Sequence, residues 1–447
     1  MKILFVENRY KTSLWEIISM EYEKLGHEVH WIVQNHMFKP SSENIIVLPY
    51  PKALKQEKIY TTEIKKLIKG NRGLNYFGIK SDDFIFWYQN EIENAIEKIK
   101  PDLVFGESTL FHELLVINAC KSRGILYLHP SSCRYPNNRF SFYEYDTLIP
   151  YGRSGDIYTD KEAKETANTI AKRLKLPDYM NVKKYSLSKT QWLKDKLKLT
   201  FGYFLGERYN TPSPFVKRKI DKHFALNNIK WENVAIDIKS LKNDFYVLYA
   251  MQMQPEANID VWGHPNNNQA KVVEWIVKQL KEDEKLIIKP NPKSKYEISE
   301  ELLNLISKHK DKIKVLRHSS KMDELWDYVN LVVTVTGTIC IECIFDNKPI
   351  VILEQGLQIE EKNCKILNLK SELGPIIEDV KSGNFPTLSE NEKMKFLRGL
   401  LNTSFKGING DGLHNKSNLI NSSVLFPAYF KIIKDLDKKI RVLICLT

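Results

Sequence analysis

Several features that define common protein classes are missing from this sequence. Its 447 residues contain six cysteines, too few and too scattered for a disulfide framework. No apolar run approaches the ~18 to 20 residues that a membrane span needs. The first residues become charged too early for the apolar core of a signal peptide. We therefore expect a cytoplasmic protein without a membrane-spanning segment.

The short motifs of several enzyme classes are missing as well. The sequence has no H-E-x-x-H motif, no Walker lysine motif and no G-x-S-x-G motif. Cys340 and Cys343 form a C-x-x-C, but without a second pair we interpret it as two packing residues on one helix face. The single D-x-D, Asp435 to Asp437, lies in a lysine-rich amphipathic segment. We therefore expect neither a metal ion nor a bound cofactor.

Strand and helix patterns alternate in two separate stretches of the chain. A hydrophobic fraction of 43% supports a large core, and 447 residues exceed what one core usually holds. The alternation covers the first third and resumes near residue 245, which predicts an α/β fold with two Rossmann-like, doubly wound parallel sheets. The predicted parts are an N-terminal Rossmann-like domain (1–150), a basic helical insert (151–234), a C-terminal Rossmann-like domain (235–421) and an amphipathic helix packing back across the domains (422–447).

Positive charge is concentrated in one part of the chain. Of the net charge of +12, residues 161–222 contribute +10, because they hold 16 Lys or Arg against 6 Asp or Glu. A basic segment interleaved with aromatic residues suits an anionic surface, either a membrane or a nucleic acid. No nucleic-acid motif accompanies it, so we expect no nucleic acid. Peripheral association with the inner membrane and an ordinary solvated helical face both stay open.

The segment from Val333 to Glu342 has the pattern of an anion site. A buried strand is followed by the turn Thr336-Gly337-Thr338 and a short helix. Glycine lets the backbone approach a ligand, and the N–H groups of the turn and of the helix N-terminus favour a phosphate. The Glu342 carboxylate would then reach a ribose hydroxyl. The alternative is a strand-to-helix turn of any α/β protein.

Three motifs together resemble a known family. They are Q-P-E-A within residues 249–257, K-P-N-P within residues 287–293, and T-G-T at residues 336–338 followed by Glu342 and Lys348-Pro349. Their order and spacing resemble the capsule polysaccharide biosynthesis proteins, which include bacterial glycosyltransferases of GT-B architecture that use CMP-Kdo or related activated sugars. The resemblance covers about residues 245–355. The N-terminal half resembles the family more weakly, around residues 106–109 and 134–140.

The resemblance implies donor-binding roles for side chains that follow three strands. These residues are Gln254, Lys289, Asn291, Lys293, Thr336, Gly337, Thr338 and Glu342. Asn291 stands where the family usually has histidine, and asparagine carries no switchable charge. We expect the flanking Lys289 and Lys293 to supply the positive charge at this loop.

Sugar transfer from a nucleotide passes through an oxocarbenium-like state, which requires a carboxylate near the anomeric carbon. Glu107 follows a strand at the carboxyl edge of the N-terminal sheet, facing an interdomain cleft, and is the first catalytic candidate; Glu256 is the second. Alternatively, Glu107 is an acid stabilised by a helix N-terminus. We assign acceptor binding to His112, Arg134 and Arg139.

These assignments predict a metal-independent glycosyltransferase. It would move Kdo or a related acidic sugar from a CMP donor onto a saccharide or lipid-linked saccharide acceptor of a bacterial surface polysaccharide. A sugar-nucleotide epimerase or a polyol-phosphate transferase on the same fold is one alternative. A non-catalytic protein that binds membranes or nucleic acid through its basic segment is another.

Overall fold

The computed structural model describes residues 1–9, 11–51, 54, 56–175, 177, 189–204, 208–354, 359–409 and 415–446. Its strands are β1 Lys2–Val6, β2 Glu28–Val33, β3 Ile45–Val47, β4 Leu103–Phe105, β5 Leu126–Ser132, β6 Arg139–Glu144, β7 Pro150–Tyr151, β8 Phe245–Ala250, β9 Glu284–Lys289, β10 Ile313–Val315, β11 Leu331–Thr334, β12 Ile350–Ile352, β13 Cys364–Ile366 and β14 Phe405–Lys406.

Helices separate most of these strands. They are α1 Thr12–Lys24, α2 Thr62–Gly70, α3 Arg72–Asn75, α4 Asp83–Ile99, α5 Phe111–Ser122, α6 Asp160–Ala171, α7 Lys189–Phe204, α8 Pro214–Val234, α9 Ala257–Asp260, α10 Gln269–Gln279, α11 Glu300–Lys308, α12 Met322–Leu325, α13 Ile339–Asp346, α14 Gly374–Lys381, α15 Glu390–Asn402 and α16 Asn415–Leu446. Short 3-10 turns lie at His36–Phe38, Ile238–Ser240 and Trp326–Tyr328.

The chain forms two compact units. Unit 1 comprises Met1–Thr159, Leu176–Ser213 and Arg398–Thr447, and unit 2 comprises Asp160–Lys175 and Pro214–Leu397. Each unit contains one of the two sheets. The prediction of an α/β fold with two Rossmann-like domains is therefore confirmed.

The segment predicted as a separate basic insert, 151–234, is divided between the units. Helices α6 and α8 belong to unit 2, whereas α7 belongs to unit 1. The physical reason is packing: α6 packs on α13, and α7 packs on the turn His36–Phe38. The boundary at 421 also differs from the prediction, because residues from Arg398 onward belong to unit 1.

Unit 1 is built on an eight-stranded sheet of order β14-β6-β5-β4-β1-β2-β3, with β7 beside β6. The strands from β3 to β5 are mutually parallel, while β6, β7 and β14 add antiparallel pairs at one edge. Among the parallel strands, neighbours in the sheet are consecutive in the chain except where the order jumps from β1 to β4. In open α/β sheets, ligands bind in the crevice outside the carboxyl ends of the strands at such a switch point.

Helix α16 contributes to the core of unit 1. Its residues Leu425, Tyr429 and Ile432 are fully buried, and the Tyr429 ring lies 5.3 Å from that of Phe105 and 4.8 Å from that of Phe142. The predicted amphipathic helix over 422–447 is thus part of a longer helix that covers the first sheet. No helix within the described ranges is long and apolar enough to cross a membrane.

Unit 2 contains a six-stranded, fully parallel sheet of order β10-β9-β8-β11-β12-β13. Counted from β8, this is the 3-2-1-4-5-6 order of the dinucleotide-binding fold. Strands such as Leu331–Thr334 are buried along their whole length, as expected where helices cover both faces of a sheet. The switch point lies between β8 and β11.

Candidate functional site

Two loops meet across the switch point of unit 2. Gln252 follows β8, and Thr336 follows β11. The Gln252 side-chain amide donates from Nε2 to Oγ1 of Thr336 (2.9 Å) and accepts at Oε1 from the Thr336 backbone N–H (3.1 Å). The turn that was predicted to bind phosphate is therefore held in place by the loop after β8. The sequence analysis did not single out Gln252, whose signal is its position two residues after a buried strand.

The Gln254 side chain is fully engaged inside its own loop. Its Nε2 donates to Oδ1 of Asp260 (2.8 Å) and to the Asn267 carbonyl (2.9 Å), while its Oε1 accepts from Gln269 (2.9 Å). The side chain is 6% exposed. Gln254 thus shapes the loop, and its placement gives no support to the predicted contact with the donor.

Glu256 lies at the start of α9. Its backbone N–H donates to Oδ2 of Asp260 (3.0 Å), and the residue is partly exposed. Its carboxylate makes no hydrogen bond or ion pair with any residue that the structure describes. Of the two predicted catalytic carboxylates, this is the one left available to a substrate.

The Thr336-Gly337-Thr338 turn is tightly packed. Oγ1 of Thr336 donates to the Asn258 carbonyl, and the Gly337 N–H donates to Oγ1 of Thr334 (3.1 Å). A Cβ at Gly337 would overlap that same oxygen, so glycine is required for the close approach. Thr338, 9% exposed, is the residue from which α13 begins. The α13 N-terminus is the part of this turn that favours an anion.

Lys289 ends β9, the strand beside β8, and is only 5% exposed. Its ammonium donates to the Pro290 carbonyl (3.3 Å) and has no carboxylate partner among the described residues. Burial and, to a smaller extent, the positive charge of Arg173 together lower the pKa of Lys289 from 10.5 to about 8. Lys289 is therefore a buried cation at the carboxyl edge of the sheet that no carboxylate in the described part of the chain neutralises.

Arg173, which the sequence analysis missed, follows α6 in the left-handed region of the backbone at φ 53°. Its Nη1 lies 2.7 Å from Oε2 of Glu342, and its Nε donates to Oδ1 of Asp323 (2.9 Å). Its guanidinium also lies 5.3 Å from the ring centroid of Trp326. Glu342, predicted to contact ribose, is therefore paired inside the protein. No local sequence signal links two residues that far apart in the chain.

The K-P-N-P loop after β9 is joined to the loop after β8. Oδ1 of Asn291 accepts from the Lys293 N–H (2.9 Å), and the Tyr296 N–H donates to the Gln254 carbonyl (3.0 Å). Lys293 is exposed. Of the predicted donor residues, unit 2 thus places Lys289 and Asn291 at the end of β9, and Gly337 and Thr338 after β11, on the two sides of β8.

Unit 1 has a second polar pair at its own switch point. Glu107, after β4, forms an ion pair with Lys11, which precedes α1; their exposures are 8% and 5%. The Glu107 carbonyl accepts from the Tyr127 hydroxyl (2.6 Å). Lys11 was not predicted, because its partner comes from a strand nearly one hundred residues later.

The acid at the N-terminus of α5 is Glu113 and not Glu107. Its carboxylate accepts from the N–H groups of Thr109 (2.9 Å) and Leu110 (2.7 Å), and from the Asn8 amide (2.6 Å). These contacts give no support to the alternative interpretation of Glu107 as an acid stabilised by a helix N-terminus, because Glu113 makes them. Glu107 neutralises Lys11 instead.

The predicted acceptor-binding residues are buried in unit 1. His112 is fully buried: its Nε2 donates to the Glu7 carbonyl (3.0 Å), so its Nδ1 is the acceptor for the Asn210 amide (3.2 Å). Arg139 is 2% exposed; it donates to the Leu401 carbonyl (3.1 Å) and to Ser404, and pairs with Asp156 (2.6 Å). Both residues have structural roles, because their polar groups are used to join distant segments.

Arg134 has a comparable placement. It lies between β5 and β6 at a positive φ of 66° and is 5% exposed. The predicted acceptor-binding set therefore receives no support from its position in the fold. Among the described residues, no three His, Cys, Asp or Glu side chains cluster so that they could hold a metal ion.

Comparison with known proteins gives only weak similarities. No family model matches the sequence, and no curated protein matches it. Among solved structures, a glycosyltransferase from Rickettsia africae shares 13% identity over 98% of both chains, with a TM-score of 0.30. A UDP-GlcNAc 2-epimerase from Methanocaldococcus jannaschii shares 15% identity over 90% of this chain and 99% of its own, with a TM-score of 0.29.

A UDP-GlcNAc 2-epimerase from Neisseria meningitidis shares 12% identity over 95% of this chain and 100% of its own, with a TM-score of 0.27. Scores this low carry no argument about fold or function. The assignment of two Rossmann-like units rests on the strand order and on the parallel pairing described above.

Proposed function

We propose that unit 2 binds an activated sugar at its switch point, with the phosphate held by Lys289 and the N-terminus of α13. The observation that carries the proposal is the burial of Lys289 without a carboxylate partner among the described residues. A buried charge is costly unless it is paired, and a ligand phosphate would provide the pair. The carboxyl edge of the sheet is also where such folds bind nucleotides.

The charges around Lys289 favour a donor with a single phosphate. The Arg173 guanidinium is already paired with the carboxylates of Glu342 and Asp323, whereas Lys289 has no carboxylate partner among the described residues. One uncompensated cation suits the single phosphodiester of a CMP sugar better than a diphosphate. This balance supports the family resemblance, which implies Kdo or a related acidic sugar as the donor.

We propose transfer of the sugar to a saccharide or lipid-linked saccharide acceptor of a bacterial surface polysaccharide. The carboxylate of Glu256, without a partner in the described part of the chain, is the better candidate to accept the proton of the acceptor hydroxyl. Glu107 is already paired with Lys11. Loss of transfer in Glu256→Gln together with its retention in Glu107→Gln would support this ranking; the reverse result would make Glu107 the catalytic carboxylate.

The test combines thermal shift with product analysis across CMP, CDP, UDP and GDP sugars, including UDP-GlcNAc. We expect a CMP sugar to raise the melting temperature and to be consumed only when an acceptor is present. Lys289→Met should abolish the shift, whereas Lys285→Met on the same strand should keep it. Stabilisation by UDP sugars alone would reject the CMP assignment. Conversion of a donor without acceptor would indicate an epimerase.

A further inference from the structure

Helix α7 presents an apolar face to solvent. Four large apolar side chains of this helix, Leu193, Leu197, Phe201 and Phe204, are 52%, 50%, 56% and 61% exposed. At 3.6 residues per turn these four positions fall within an arc of about 80°. They form a continuous stripe along the helix, called here the α7 stripe.

The opposite face of α7 packs on unit 1. Gly202 is buried, and a Cβ there would lie 2.9 Å from Nδ2 of Asn35. Nζ of Lys198 lies 5.5 Å from the centroid of the Phe38 ring. On a helical wheel Gly202 falls opposite the α7 stripe and Lys198 falls beside it, so this packing leaves the stripe uncovered by the turn that holds the helix.

Positive charge flanks the α7 stripe. The sequence of α7 contains four lysines and one aspartate. Lys194 and Lys196 are exposed, and the helical wheel puts them on the two sides of the stripe. An apolar face bordered by lysines is the pattern of a helix that lies in the plane of a bilayer surface, where lysines meet anionic headgroups.

We propose that the α7 stripe docks this protein on an anionic lipid bilayer. Leu193, Leu197, Phe201 and Phe204 would enter the boundary between headgroups and acyl chains, while Lys194 and Lys196 would contact lipid phosphates. A nucleic acid would match the lysines but would leave the apolar residues unexplained. The inference does not depend on the nucleotide site, because no residue of the α7 stripe belongs to it.

The experiment is flotation of the full chain with vesicles of phosphatidylcholine alone or mixed with phosphatidylglycerol. We expect flotation with the mixed vesicles and release at high salt. Leu197→Glu with Phe201→Glu should lower the vesicle-bound to free ratio by about tenfold or more. The matched control is Leu226→Glu with Ile229→Glu on α8, two residues that are 51% and 57% exposed; this pair should float like wild type.

A reporter variant makes the test independent of the double substitution. The emission of Leu197→Trp minus that of wild type, which contains eight tryptophans, reports the new residue. This difference emission should shift to the blue with mixed vesicles and should be quenched by brominated acyl chains. Wild type that does not float, equal loss in both glutamate pairs, or an unshifted tryptophan would overturn the proposal. Binding to a single-stranded oligonucleotide without binding to vesicles would also overturn it.

Discussion

The guanidinium of Arg173 lies 2.7 Å from the Glu342 carboxylate, and the two side chains are 12% and 6% exposed. Arg173 comes from the end of α6, and Glu342 lies on α13, the helix that follows the Thr336-Gly337-Thr338 turn. The pair therefore connects a segment distant in sequence to the helix whose N-terminus we propose as the phosphate site. It also removes Glu342 from the set of free carboxylates near the ligand.

Breaking this ion pair should destabilise the protein strongly. Arg173→Met leaves the Glu342 carboxylate buried without its partner, and we expect a loss of about 3 kcal/mol in the free energy of unfolding of unit 2. The double variant Arg173→Met with Glu342→Gln should recover most of that loss, because no buried charge is left unpaired. Urea unfolding of the single and double variants measures the coupling. Additive effects of the two substitutions would show that the contact is not energetically significant.

Replacing Lys289 should stabilise the protein while weakening ligand binding. Because its pKa in the folded protein is about 8 and its ordinary value is 10.5, the unfolded chain holds the proton more tightly. Below pH 8 the charged lysine therefore lowers the free energy of unfolding by about 3 kcal/mol. This effect disappears as the pH rises to 10.5. Lys289→Met should therefore be more stable than wild type at pH 7 and should lose the difference at high pH.

Denaturant titrations of wild type and Lys289→Met from pH 7 to pH 10.5 measure this effect, with Lys285→Met as the control on the same strand. Nucleotide binding, measured by calorimetry, should fall in Lys289→Met only. A variant that is less stable than wild type at pH 7 would contradict the assignment of Lys289 as an uncompensated cation.

His129 should contribute to acid lability of unit 1. It is fully buried, and Nε2 donates to the Thr147 carbonyl (2.7 Å); burial lowers its pKa from 6.5 to about 4. As the pH falls, His129 is protonated in the unfolded chain at a higher pH than in the folded protein. The contribution of neutral His129 to the free energy of unfolding is therefore complete above pH 6.5 and decreases by about 3 kcal/mol as the pH drops to 4.

His129→Gln keeps a donor near the Thr147 carbonyl but has no group that titrates in this range. The difference in unfolding free energy between wild type and His129→Gln should therefore change with pH between 6.5 and 4 and stay constant above 7. A difference that is independent of pH would show that His129 does not resist protonation.

Gly106 should tolerate no side chain while Tyr127 keeps its hydroxyl. A Cβ at position 106 would overlap the Tyr127 hydroxyl and lie 2.8 Å from its Cζ, so Gly106→Ala should cost about 2 kcal/mol. Tyr127→Phe alone should cost about 1 kcal/mol, because the Glu107 carbonyl loses its donor. The double variant should be more stable than the sum of the two single effects predicts, because the overlapping hydroxyl is absent. The recovery should be partial, since the ring at position 127 still lies close to the new Cβ.

Thermal unfolding of the two single variants and the double variant measures the energetic coupling between positions 106 and 127. Gly124→Ala is not a suitable control because of its positive φ, whereas Gly399→Ala is suitable: nothing lies within 4 Å of a Cβ at that position. Strict additivity of Gly106→Ala and Tyr127→Phe would contradict the proposed overlap.

The sequence predicts the parallel sheets well because their strands are short apolar runs that stand between helices. Strand Leu331–Thr334 and the loop after it are recognised from a short apolar run and the glycine turn that follows it; the strand is buried along its whole length. By contrast, β7 and β14 have two residues each, which is too short for a periodic pattern. Their antiparallel pairing at the sheet edge therefore cannot be recognised in the sequence.

Loop positions are predictable, but the partners of loop side chains are not. Gln252 and Gln254 lie in the same loop; Gln252 reaches across the switch point, and Gln254 turns back to Asp260 and Gln269. The direction of each side chain depends on the local backbone path, which a motif does not encode. Arg139 illustrates the same limit over a longer distance, since its partner Ser404 is 265 residues away in the chain.

The contribution of β14 and α16 to unit 1 has a consequence for the order of events during synthesis. Phe140 and Phe142 leave the ribosome long before Phe405 and Tyr429, which cover them in the finished unit. At typical elongation rates the interval is on the order of tens of seconds. The residues of unit 2 are complete before that interval ends, so nascent unit 2 can fold while unit 1 still exposes its aromatic core to chaperones.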